Sequence, residues 1–150
     1  MGFTKILCPV DFSPGSREAL RVASDLAKQW SASLVLMHIW EPPRWTSSEL
    51  LLVPGVIQDM VDAEEAELAT WKAEARQLGA REVAVRFQSG IAWDEIVTVV
   101  RNDSTIDLVV MGTHGRTGLR HALLGSVAEK VVRHAPCPVL VVRSRDDKVQ

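Results

Sequence analysis

The sequence has no surplus of positive charge. Its 17 Lys and Arg face 19 Asp and Glu, for a formal net charge of -2. A nucleic-acid partner held by bulk electrostatics is therefore not expected. No apolar run reaches the ~20 residues that a membrane-crossing helix takes, so no membrane partner is expected either. The opening Met1-Gly2-Phe3-Thr4-Lys5-Ile6-Leu7 lacks the basic start and longer apolar stretch of a secretory signal and reads as a strand. It also lacks the hydroxyl that a myristoylation acceptor wants where Ile6 stands. Cysteine is scarce: Cys8 and Cys137 both lie in strand-like apolar segments. Reduced, buried thiols in a cytoplasmic protein are the expectation, not a disulfide framework.

Two phosphate-binding signatures are missing as well. There is no Gly-Lys-Ser or Gly-Lys-Thr, which excludes a Walker A loop, and no GxGxxG follows the first strand, which disfavours a Rossmann dinucleotide site. Internal repeats, low-complexity tracts and signs of a second domain are absent, so residues 1–150 are expected to form one domain.

What is present is a folded-domain composition, 47% hydrophobic and 24% charged. Short apolar runs at Phe3–Pro9, Ser33–Trp40, Arg81–Phe87, Asp107–Met111 and Pro138–Arg143 read as strands. Helical spacing predicts helices from Pro14, capped by Ser13, to about Trp30, over Val56–Leu78 with Gly79 as stop, over Ile91–Arg101 started by Ser89-Gly90, and over Gly125–His134. Glu41–Gly55 contains Pro42, Pro43 and Pro54 and reads as a long loop, a lid or partner surface. The tail 144–150 is expected to fray. Alternating strands and helices predict an α/β fold: a five-stranded parallel sheet with helices on both faces. An assumed strand order 3-2-1-4-5 puts the ligand crevice between strands one and four, at their carboxyl ends.

The most glycine-rich turn falls at that crevice. Gly112-x-x-Gly115 is followed, after nine residues, by Gly125-Ser126. Glycines let amides approach an anion closely and adopt positive φ. Gly125-Ser126 opens a helix, whose free amides favour phosphate, and Ser126 adds a hydroxyl. Asp11, at the end of the first strand, reads as a ligand contact before it reads as a cap. His38 reads as a satisfied core histidine, and His114 either touches phosphate or braces the loop. His121 and His134 lack metal spacing with it. Arg116 and Arg120 either screen phosphate or are solvated. Trp40 and Trp45 read as core or dimer packing. Glu64, Glu65 and Glu67 read as the wet face of a helix. Cys8 has no base beside it to make it a nucleophile.

Several segments together resemble the universal stress protein family: Ile6–Ser13, Leu36–Ile39, Asp107–Gly115, Leu124–Ala128 and Ala135–Val142. The resemblance spans nearly the whole chain. It implies an adenine nucleotide alpha hydrolase-like fold, and the spacing G-2x-G-9x-G-S/T marks the family's ATP-binding members. It further implies that Pro9 and Asp11 line the nucleoside end, with Asp11 on the ribose hydroxyls. Ile39 would meet adenine through its backbone, while Met111 and Gly112 lie against the ribose and α-phosphate. Gly115, Gly125 and Ser126 would hold phosphates, with Val127 continuing that helix start. ATP, or else AMP or ADP, would come with Mg²⁺, and a homodimer would form through strand 138–143. No catalytic residue and no protein metal site is assigned. The expected function is regulatory ATP binding in stress response, with weak ATPase activity at most. A nucleotide-free dimeric scaffold and an adenylating enzyme are the alternatives.

Overall fold

The computed structural model describes residues 2–42, 49, 52–115 and 124–144. Among the described residues, five strands, β1 (Lys5–Pro9), β2 (Ser33–Trp40), β3 (Val83–Ser89), β4 (Leu108–Gly112) and β5 (Val139–Val142), alternate with the helices α1 (Pro14–Trp30), α2 (Val56–Gln77), α3 (Ala92–Asn102) and α4 (Ser126–His134). The strands form one parallel sheet in the order β3-β2-β1-β4-β5. This is the order assumed in placing the crevice.

The near-continuous apolar strands follow from burial on both faces. Successive side chains alternate sides. Ile6 and Cys8 of β1 point with Leu36 and Val110 toward α1 and α2, where Leu20, Ala23 and Trp71 meet them. Leu7, Met37, Val109 and Met111 point the other way, against Ile96 and Val100 of α3 and Ala128 and Val131 of α4. Helices thus cover both faces. Ser13 caps α1 as expected: its Oγ accepts from Ser16 N at 3.2 Å, with Pro14 in the first turn.

Three local expectations shift. β3 lies two residues later than Arg81–Phe87, because Ala80 still closes the end of α2 through Ala75 O. Gly112 belongs to β4, paired with Val142, and not to the loop. Neither Ser89 nor Gly90 caps α3. Ser89 ends β3, Ile91 occupies the cap position without a side-chain bond, and Glu41 Oε1 accepts the Ala92 N–H at 3.1 Å instead.

The central strands end at different heights. β1 pairs with β2 only from Lys5↔Ser33 to Pro9↔Met37, whereas β2 stays paired with β3 as far as Trp40↔Ser89. The last three residues of β2 therefore overhang the end of β1.

Candidate functional site

β1 and β4 are neighbours, yet the helices that follow them, α1 and α4, lie on opposite faces of the sheet. The chain leaving β1 and the chain leaving β4 part there, which opens a crevice at the carboxyl ends of the strands. A cavity of about 240 Å³ occupies it. All nine positions singled out in the sequence line it: Pro9 and Asp11 after β1, Ile39 on the β2 overhang, Met111, Gly112 and Gly115 at the end of β4, and Gly125, Ser126 and Val127 at the start of α4.

Asp11 is held by its own turn. Its Oδ1 accepts from Ser16 Oγ at 2.6 Å and from Ser13 N at 3.1 Å, and its backbone N–H donates to Ser16 Oγ at 3.0 Å. Asp11 thus braces its own turn and also lines the cavity. Phe12, the next residue, takes φ 64, in the left-handed region, and stacks on His38 at 4.4 Å between ring centroids.

The glycines serve close approach and not positive φ. None of Gly112, Gly115 and Gly125 is in the left-handed region. A Cβ on Gly112 would meet the Gly15 backbone, and one on Gly125 would meet Thr113 O at 2.8 Å. A Cβ on Gly115 would stand 2.5 Å from Asp11 Oδ2. The motif therefore draws the β1 and β4 turns together, with Gly15 as an unrecognised partner of Gly112.

At α4 the cap residue Gly125 makes no side-chain bond, and its own N–H donates to Thr113 O at 2.7 Å. The N–H groups of Ser126 and Val127 have no hydrogen-bond partner among the described residues. Such first-turn amides, with the helix dipole behind them, suit an anion. Among the described lining residues the formal charges are the carboxylates Asp11 and Glu41, with no Lys or Arg. The anion donors of the described lining are thus backbone amides and neutral side chains, among them the Ser126 hydroxyl and His114. No cluster of three His, Cys, Asp or Glu that could hold a metal occurs among the described residues.

His38 is buried, as expected, but it is not idle. Its Nδ1 donates to Val10 O at 2.8 Å, and its Nε2 faces the Glu64 carboxylate on α2. Glu64 therefore does not belong to a purely wet helix face, and Glu67 accepts the Trp71 Nε1–H at 2.8 Å. Glu64 was missed because the spacing of one helix does not show what a distant strand presents to it, whereas Glu67 is exposed, as expected, and pairs with Trp71 within α2. Cys8 is buried, and burial pushes its thiol up to about 12, in keeping with an inert thiol. Trp40 is buried away from the cavity. Trp45, Arg116, Arg120, His121, most of the 41–55 loop and the end of the tail lie outside the described residues.

The sequence profile of the Universal stress protein family matches residues 2–143. The chain belongs to the universal stress protein family. It is 34% identical over 142 residues to Universal stress protein MJ0531 of Methanocaldococcus jannaschii, covering 94% of this chain and 82% of that relative. Universal stress protein UspA of Lactobacillus plantarum superposes with a TM-score of 0.81 at 26% identity, covering 95% of this chain and 99% of its own. A universal stress protein solved in complex with cAMP superposes with a TM-score of 0.72, over 96% of this chain and 99% of that one. At 24% identity this last likeness bears on the fold alone.

Proposed function

We propose that this universal stress protein binds an adenine nucleotide, ATP foremost, in the crevice between β1 and β4, as a regulatory nucleotide binder in stress response. The observation that carries the reading is convergence. Residues separated by more than a hundred positions, chosen for their chemistry in the sequence, line one cavity at the switch point of the sheet.

The chemistry has a direction. Phosphates would lie at α4, on the amides of Ser126 and Val127 and the Ser126 hydroxyl, near Gly115. Gly115 and Ser126 are exposed, so the outer phosphates would reach solvent. The base would lie at the β2 overhang. Odd-numbered residues of β2 turn their backbone groups toward β1: Ser33 N donates to Thr4 O and Met37 O accepts from Val10 N. Ile39 faces the same way, beyond the end of the ladder. Its N–H and C=O form a donor–acceptor pair that matches an adenine edge. Asp11 would take the ribose hydroxyls between the two ends.

The residues present fit Mg²⁺ only as a companion of the phosphates. Mg²⁺ commonly uses one or two carboxylates plus substrate phosphates, and Asp11 and Glu41 are the carboxylates in the described lining. Slow or no hydrolysis is part of the proposal, since the described lining offers no phosphate-clamping Lys. The spacing of Gly112, Gly115 and Gly125-Ser126 supports membership of the ATP-binding subgroup. The homodimer is proposed through β5, an edge strand on which Leu140 is 40% exposed. A cytoplasmic, one-domain protein is the setting the proposal assumes.

Calorimetric titration with ATP and Mg²⁺, run beside AMP, ADP and GTP, tests the reading. Saturable adenine-nucleotide binding supports it. Absence of binding to any of them would leave the nucleotide-free scaffold.

A further inference from the structure

The parallel ladder between β1 and β2 stops one rung early, and a side chain stands where the rung should be. Val10 N donates to Met37 O at 2.8 Å. In a parallel ladder the same residue's carbonyl then accepts from the residue two further along the partner strand. Here that donor is Ile39 N. The bond is not made: the Ile39 N–H has no partner among the described residues. The Val10 carbonyl is instead taken by His38 Nδ1 at 2.8 Å. A carbonyl oxygen can only accept, so Nδ1 carries the hydrogen.

The ring that does this is fixed on every side. Its Nε2 faces Glu64 of α2, Phe12 stacks on it, and Phe87 of β3 lies 5.6 Å away between centroids. His38 is 2% exposed, so a rotation to solvent is blocked. Ile39 is half-buried and lines the cavity. An unpaired strand N–H in such a position is unusual, since the great majority of buried backbone donors are paired.

We infer that His38 is a positioning residue for the nucleotide base: by holding the Val10 carbonyl, it keeps the Ile39 N–H out of the β1–β2 ladder and available to an acceptor atom on the ligand. This rests on the proposed nucleotide site and names the residue that prepares its base end. His38 also borders the cavity. Its effect passes through Val10. Glu64 and Phe12 set the ring so that Nδ1, and not Nε2, meets the carbonyl.

Two measurements test it, and the first needs no nucleotide. Amide hydrogen exchange at Ile39 in the ligand-free protein should be fast beside that at Met37, and should slow when ATP and Mg²⁺ are added. An Ile39 amide as protected as Met37 in the ligand-free protein would overturn the inference. The second uses His38→Leu and His38→Asn. Leu has no donor, so Val10 O is released to pair with Ile39. The Ile39 amide should then be protected without ligand, and ATP affinity should fall about tenfold, the weight of one lost hydrogen bond to the ligand. Asn places an N–H near the position of Nδ1 but cannot reach Glu64. It should keep both the fast exchange and most of the affinity. Equal affinity of His38→Leu and wild type would overturn the inference. So would equal losses in the Leu and Asn variants, which is what loss of packing alone would give. If wild type shows fast Ile39 exchange but binds no nucleotide, the positioning of Ile39 stands and the nucleotide reading falls.

Discussion

The backbones of Gly112 and Gly15 touch where β4 ends and α1 begins. A Cβ on Gly112 would stand 2.8 Å from the Gly15 carbonyl carbon and 2.9 Å from its oxygen. Neither atom can swing aside as a side chain tip could. Gly112→Ala should therefore destabilise the fold, by about 1–3 kcal/mol as for other overpacked sites. Gly125→Ala, against Thr113 O, should behave similarly. Urea unfolding of the two variants measures this. Wild-type stability in both would show that the turns are not held in close contact.

Ser126 poses the opposite case. It is exposed, and no packing depends on its hydroxyl. Ser126→Ala should leave the unfolding midpoint nearly unchanged and weaken ATP binding about tenfold, the scale of one hydrogen bond to a charged group. This variant separates ligand contact from folding better than a bulky residue at Gly115. There the new side chain would strike Asp11 Oδ2 and disturb that carboxylate as well.

Glu41 caps α3 from fifty-one residues away. Glu41→Ala should cost about 0.5–2 kcal/mol, the range for lost helix caps, while Glu41→Gln, which keeps an acceptor oxygen, should cost much less. Thermal unfolding of the pair of variants checks the difference.

Acid stability should depend on the far end of the sheet, away from the cavity. The hydrogen bond from the Lys5 ammonium, with a second from Thr105, holds the Asp103 carboxyl down at about 2, against an ordinary 3.8. The folded-state value lies below the unfolded one. The contribution is thus complete above about 4 and is lost as pH falls through about 2. Asp107 shifts the same way: burial raises it, but the N–H groups of Thr4 and Lys5 and the Thr4 hydroxyl outweigh that. Asp103→Asn should flatten the loss of stability between pH 4 and pH 2. An unchanged slope in acid titrations of unfolding would contradict the assignment.

The layout of the sheet was legible because parallel strands buried on both faces are apolar throughout, and because Ser13-Pro14 and Gly79 punctuate their helices. The candidate site was legible at Asp11 and Gly112, at or just past the ends of β1 and β4, and at Gly125, which caps α4. What stayed hidden depends on contacts between distant segments. Gly15 looks like an ordinary helix-start residue until the β4 turn is laid against it. Glu64 looks solvated until β2 presents His38. Glu41 looks like loop until α3 presents an uncapped amide. The reason for the motif glycines was also mistaken in part: they answer crowding, not positive φ. The unpaired N–H of Ile39 follows from where β1 stops relative to β2, a matter of register that composition does not carry.

The central claim is that one crevice, built from the ends of β1, β2 and β4 and the start of α4, takes the whole nucleotide. Backbone amide NMR spectra recorded through a titration with ATP and Mg²⁺ test it most directly. The amides of Asp11, Ile39, Met111, Gly112, Gly115, Gly125, Ser126 and Val127 should shift together and saturate at one common concentration. Saturation with shifts confined to other parts of the chain, or spectra that do not change at all, would contradict it.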